Sequence, residues 1–182
     1  LLLDGWAVLG ERRYRDRAVE LIKYVLDTFA DHDAGGFFSS QYADTDYYST
    51  DAMGRQTLAQ PRVDRSIYSD GTAKMAGAFL HAAAAFGDSS LLEFAATSLE
   101  RVVGDTYQKG HGIAHDVDGG QAVRGLLADQ VFVSDSGLGL AGSVDISGGD
   151  GADIFAAAPL LGGTLDFHGN DPVLGSVPGD LL

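Results

Sequence analysis

The stretch Val63–Asp88, VDRSIYSDGTAKMAGAFLHAAAAFGD, constrains the fold more than any other. It opens polar, with Asp64, Arg65, Tyr68 and Asp70, turns into an Ala-rich run and stops at Gly87. Ala is the best helix former, and Gly past the last turn ends a helix by adopting a left-handed conformation. The pattern predicts a helix over Gly71–Phe86 with Asp70 as its N-cap. Small apolar residues nearly all round predict a helix with neighbours on most sides. The polar start predicts that one end of that helix opens on a site.

Flanking segments read differently. Leu1–Leu9 predicts a helix end closed by Gly10, with Leu2, Trp6 and Leu9 at helical spacing. Glu11–Ala30 predicts an amphipathic helix, with Tyr14, Ala18, Leu21, Ile22, Val25, Leu26 and Phe29 on one face. Arg12, Arg13, Arg17, Glu20 and Asp27 make the other face, where Asp16 and Glu20 offset the Arg13/Arg17 repulsion. Asp31–Gly36 is a breaker cluster before a short apolar pair, Phe37-Phe38. Ser39–Ser69 predicts a long polar, tyrosine-rich loop, the kind usually tied to function. Asp88 predicts a cap for a helix over Ser89–Val103, ended by Gly104 and Gly110. Gly112–His115 predicts a short strand, and Asp116–Gln121 a turn. Asp129 predicts the cap of a third helix starting Gln130-Val131. Gly10-Glu11 before the first amphipathic face matches Gly87-Asp88 before the second, about 77 residues on. This is a repeat of smooth and amphipathic helices, as concentric helix layers require when only the outer one meets water.

Composition sets further limits. No cysteine is present, which excludes thiolate metal sites and disulfides. The formal charge is -14, carried mostly by Asp, and only Lys23, Lys74 and Lys109 are lysines. An Asp-rich, Lys-poor surface suits high salt, where screening removes self-repulsion, so a halophilic source is expected. Such a chain repels phosphate backbones and anionic lipid, so neither nucleic acid nor membrane is expected as a partner. The longest apolar run, Ala76–Phe86, contains His81 and is too short to span a bilayer. The absence of a basic n-region at Leu1-Leu2-Leu3 predicts a cytoplasmic chain, and the abrupt start a fragment.

Three segments resemble one family in order. Gly35-Gly36-Phe37-Phe38-Ser39-Ser40-Gln41-Tyr42-Ala43-Asp44 is similar to its GGF-Y/F-S-A-E-D-A-D segment. Val63–Ala78 is similar to D-D-K/R-x-L/Y-T-D-W-N-x-L/M. Gly112–His115, Asp118-Gly119 and Gly125–Gln130 are similar to L-x-H…DG…G-x-L-x-D-Y/Q. Over about Leu1–Val133 the chain resembles the α/α-toroid region of the thioredoxin domain-containing, spermatogenesis-associated-protein-20-like family. The resemblance implies an all-α fold: helical hairpins of an incomplete α/α toroid of the six-hairpin glycosidase-like type. It implies a carbohydrate-processing function, hydrolase- or epimerase-like, with no cofactor and a carbohydrate as the ligand. It also implies an upstream thioredoxin-like domain and further hairpins beyond this chain, so the fragment is expected to be inactive alone. The alternative is a non-catalytic scaffold that binds a protein. Gly71-Thr72 stands where the family has Trp-Asn, and Gln41-Tyr42 where it has Glu-Asp.

Asp70 and Asp129, each at the start of an expected inner helix, are the candidate cavity carboxylates for general acid and base work, or plain caps. His115 is the third catalytic candidate, because imidazole exchanges protons near neutral pH; a structural hydrogen-bonding role is the other reading. Tyr68 and Arg124 flank the expected mouth and are candidates to hold substrate, as is Asp44 on the resemblance. The loop tyrosines offer ring faces to a sugar or cover the ring edge. His111 and His115 have the spacing of a helical metal pair, but Gly110 and Gly112 argue against a helix there, so no metal site is expected.

After Arg124 no Lys, Arg or Glu remains, and Gly and Asp become dense. Residues 1–135 are expected to form the toroid fragment and 136–182 an irregular Gly/Asp-rich tail. Gly137–Gly142 fits G-x-G-x-x-G without a following βαβ unit, and Gly148–Phe155 fits a single calcium-roll nonapeptide. The tail reads best as non-native sequence from a reading-frame slip, which translation of the other two frames past Asp135 tests.

Overall fold

The computed structural model describes residues 1–119, 123–138, 144–146 and 165–167. The described residues are rich in helix, with seven helices and a few short strands, a mostly-α fold. Helix α1 (Leu2–Leu9) ends at Gly10, whose φ of 69° lets its N–H reach Trp6 O. Helix α2 (Arg12–Phe29) turns back along it. Its like charges are offset in part as expected: Arg17 meets Glu20 at 2.8 Å, but Arg13 meets Glu11 at 2.5 Å, and Asp16 meets Arg15 at 3.6 Å.

Strand β1 (Phe38–Gln41) pairs antiparallel with β2 (Val63–Ile67), in the register Phe38↔Ile67, Ser40↔Asp64 and Gln41↔Val63. The expected loop is thus partly ordered. Between the strands lie two short helices, α3 (Thr45–Ser49) and α4 (Ala52–Arg55), capped by the Asp44 and Asp51 carboxylates. Helix α5 (Ser69–Phe86) follows directly and ends at Gly87 in the same left-handed conformation as Gly10, φ 67°. Helix α6 (Ser89–Thr106) starts on Asp88, which accepts from Ser90 N and Leu91 N. Helices α2 and α6 are each 18 residues long and start two residues after their glycine, so the recurrence seen in the sequence is a recurrence of structure. Strands β3 (Tyr107–Gln108) and β4 (Gly112–Ile113) form a tight antiparallel pair. Helix α7 (Leu127–Leu138) packs on α5, and β5 (Val144–Ile146) lies parallel to β6 (Leu165–Phe167).

Three boundaries differ from expectation, for physical reasons. Helix α5 starts at Ser69 with Tyr68 as N-cap, and Asp70 sits in its first turn. Ser69 is fixed first, because its N–H and Oγ donate to His115 O and Ala114 O at 2.8 and 2.6 Å. Helix α6 runs through Gly104 to Thr106; burial of Val102 and Thr106 outweighs the ~1 kcal/mol propensity cost of one glycine. Helix α7 starts at Leu127, so Asp129 lies inside it rather than capping it.

The core lies between α5, α6 and α7. Ala73, Ala76, Ala95 and Val102 are fully buried there, beside a cluster of Phe37, Phe79 and Phe94 whose rings stand 5.1, 5.3 and 6.4 Å apart. By contrast α2 buries only Ala18 of its expected apolar face, and Leu21 on that face is 41% exposed. Trp6 meets Phe86 at 5.7 Å, with Arg15 over both rings, which fastens the α1–α2 hairpin to the far end of α5. Helix α7 approaches α5 closely because Gly77 has no side chain: a Cβ there would meet Ser136 Oγ at 3.1 Å, and that hydroxyl donates to Ala73 O at 2.7 Å. Arg101 joins the turns of the two repeats, donating to Asp31 at 2.9 Å, to Asp118 at 2.6 Å and to Gly35 O.

Residues 139–142 of the glycine pattern, the 148–155 nonapeptide and most of the expected 136–182 tail lie outside the described residues; Gly137 and Leu138 end α7. Among the described residues no helix is long and apolar enough to cross a membrane.

Candidate functional site

The site forms where three elements meet at the start of α5. Strand β4 leads through Ala114 to His115, whose main chain is held on both sides: its N–H donates to Val123 O at 2.8 Å, and its carbonyl accepts from Ser69 N. Gln130 on α7 imitates a neighbouring strand. Its Oε1 accepts from Ile113 N at 2.9 Å and its Nε2 donates to Ile113 O at 3.0 Å. That contact requires Gly112, at φ 68°, because a Cβ there would run into Gln130 Oε1. With β4 so fixed, the His115 ring stacks on Tyr68, centroids 4.8 Å apart and planes 12° apart.

Asp129 comes from α7 into the same place. It is completely buried, and its Oδ1 accepts from His115 Nδ1 at 2.9 Å and from the Asp70 N–H at 3.2 Å. The second bond makes Asp129 a cap for α5 supplied by another helix, satisfying one of the four N-terminal amides that a helix leaves open. The first fixes the imidazole. A carboxylate only accepts, so Nδ1 carries the hydrogen and Nε2 is the atom left for other partners. His115 keeps 33% of its side chain exposed.

Asp70 completes the group. Lys74, one turn on, places its ammonium 2.7 Å from Asp70 Oδ2 and 4.1 Å from the Phe132 ring centroid. Burial pushes the Asp70 carboxyl up, but the Lys74 hydrogen bond and charge, the Gly71 amide and His115 outweigh it, leaving Asp70 below the usual carboxylate range. Asp70 is therefore held as an anion. One ligand-type atom from each of Asp70, His115 and Asp129 lies within 4.8 Å of the others, the one such grouping among the described residues. These three are the residues that could hold a cation. Lys74 and the His115 Nδ1–H already answer their charge, and His111 is not among them.

Of the six residues singled out in the sequence, Asp70, His115, Asp129 and Tyr68 come together here. Arg124 does not face this group: its guanidinium donates to Thr106 O at 2.7 Å and Gly112 O at 3.0 Å, bracing β4 against the end of α6. Asp44 is also elsewhere, exposed and accepting from Tyr47 N at 2.9 Å as the cap of α3. The Gly71-Thr72 pair divides: a Cβ at 71 would meet open space, whereas Thr72 is fully buried, and its Oγ1 accepts from Phe37 N at 3.5 Å. Lys74 and Gln130 are the members that sequence reasoning missed. Lys74 was findable, standing four residues after Asp70 on one helix face.

No protein-family model matches the chain, and comparison with curated proteins finds no match.

Proposed function

We propose that this chain is part of a helical-hairpin ring of the thioredoxin domain-containing, spermatogenesis-associated-protein-20-like kind, and that its polar face performs proton transfer on a carbohydrate. The supporting observation is that Asp70, His115 and Asp129, from three separate elements, meet within 4.8 Å at the start of α5. In this reading His115 Nε2 gives or takes the proton, and the buried Asp129 stabilises the imidazolium that forms. Asp70, kept anionic by Lys74, accepts a hydrogen bond from a sugar hydroxyl and stabilises positive charge developing on the ring.

A nuclear magnetic resonance titration tests this reading, following the His115 ring signals of this chain against neutral hexoses and uronates. A saccharide that shifts Nε2, with the shift lost in Asp70→Asn, supports it. Signals unmoved by every sugar at tens of millimolar would remove it. One observation favours a protein-binding scaffold instead: Leu1, Val8 and Leu9 expose apolar surface along α1. Under that reading Val8→Lys abolishes partner capture and no sugar moves His115.

A further inference from the structure

A concave surface lies away from the histidine group, between α2 and the α3–α4 segment, with a volume of about 570 Å³. Its floor is aromatic and its edge is amide. Tyr24 and Tyr48 both donate their hydroxyls to Gln41 Oε1, at 3.0 and 2.9 Å, and remain 47% and 46% exposed. Gln41 Nε2 is anchored on Pro61 O at 3.0 Å, so the amide holds both phenols in place. Tyr47 stands edge-on to Tyr48 at 5.2 Å.

The lining carries two positive and two negative side chains, Arg17 and Arg55 against Glu20 and Asp27. Arg17 is paired with Glu20 at 2.8 Å, and the Asp27 carboxylate with Lys23 at 2.5 Å. Arg55 donates to the carbonyls of Tyr47, Thr50 and Tyr48, at 3.1, 2.8 and 3.2 Å, and lies against the Tyr47 and Tyr48 rings. It is a brace for the α3–α4 turn, not a free anion receptor. A groove with half-exposed tyrosines, fixed hydroxyls and an amide, whose charged lining residues Arg17, Arg55, Glu20 and Asp27 sum to zero, does not select an ion. It fits a ligand with apolar C–H faces and a rim of neutral hydroxyls.

We propose that this groove is a binding subsite for a neutral oligosaccharide, with Tyr24 and Tyr48 as the stacking platforms and Gln41 as the residue that orients them. The proposal rests on the carbohydrate reading of the histidine group and extends it. The β1–β2 ribbon links the two places: Gln41 lies at the groove end, and Phe38 pairs with Ile67, the residue before Tyr68. In this reading the groove holds the distal part of a chain whose reacting unit sits at His115.

Calorimetric titration of this chain with maltotetraose, cellotetraose and chitotetraose, and with trigalacturonate as the charged comparison, decides the matter. One neutral tetraose is expected to bind more tightly than trigalacturonate. The double substitution Tyr24→Ala/Tyr48→Ala should weaken that binding by at least about 10-fold, while Tyr42→Ala, an exposed tyrosine outside the groove, should not. Tyr24→Phe/Tyr48→Phe keeps the ring faces, loses the Gln41 bonds and guards against a folding artefact; its affinity should fall between those of the wild type and Tyr24→Ala/Tyr48→Ala. Binding that survives Tyr24→Ala/Tyr48→Ala but disappears in His115→Asn overturns the groove and leaves the proposed function standing. Stronger binding of trigalacturonate overturns the neutral specificity. No heat with any of the saccharides overturns both readings.

Discussion

Replacing Asp129 by Ala is the most informative perturbation of the site. The buried carboxylate serves two donors at once, the His115 Nδ1–H at 2.9 Å and the Asp70 N–H at 3.2 Å. Hydrogen bonds to a charged acceptor contribute ~1.5–3 kcal/mol, and losing a helix cap costs ~1–2 kcal/mol. Asp129 has no accessible surface, so bulk solvent does not directly replace the carboxylate when it goes. The two losses together come to about 2.5–5 kcal/mol. With a urea slope near ~2 kcal/mol/M, the unfolding midpoint should fall by roughly 2 M. Asp129→Asn retains an acceptor but adds a buried donor with no partner, and should cost about 1–2 kcal/mol. Urea unfolding followed by circular dichroism gives the stabilities. Nitrogen-15 spectra of His115 give the tautomer, expected to be Nδ1–H in the wild type and mixed in Asp129→Asn. If Asp129→Ala loses less than about 1 kcal/mol, or the wild-type imidazole carries its hydrogen on Nε2, the account of Asp129 as a two-way acceptor is wrong.

Other outcomes follow from the same contacts. Arg101→Met, which releases Asp31, Gly35 O and Asp118, should cost about 2–4 kcal/mol in the same unfolding assay. Burial pushes the Asp31 carboxyl up, but the Arg101 hydrogen bond, the Ala34 and Asp33 amides and the Arg101 charge outweigh it, so folding lowers its pKa. Its contribution is complete above the unfolded value of ~3.9 and disappears as pH falls through the lower folded value. Acid titration should therefore show a steeper loss below about pH 4 in the wild type than in Arg101→Met; identical slopes would refute the link. Gly112→Ala should cost ~2–4 kcal/mol, from strain at φ 68° and displacement of Gln130, and should also shift the His115 signals. With a net charge of -14, thermal midpoints should rise as KCl is raised from low to molar concentration, and a fall would argue against charge repulsion as a determinant of stability.

The amino-acid sequence by itself determined the five longer helices, to within a few residues at their ends, and their repeat, but not the short α3 and α4. Period and punctuation are local properties, so Gly10 and Gly87 ended their helices as written, and Asp88 capped α6 through amides two and three residues away. The Asp70, His115 and Tyr68 positions were legible because polar residues interrupting a smooth apolar pattern stand out. Only the tertiary structure decided what they do. Asp129 reads locally as the cap of its own helix, yet its bonds run to His115 and to the first turn of α5, 59 residues away in sequence for Asp70. Arg124 and Asp44 read as exposed binding residues, but carbonyls of β4 and α6 and an amide of α3 claim them. The Tyr24–Gln41–Tyr48 groove draws on α2, β1 and α3, segments whose spacing carries no common period. A hydrogen-bond donor or acceptor takes whichever partner folding brings within about 3 Å, and that choice is made by the packing of α5, α6 and α7, not by the neighbours in the chain.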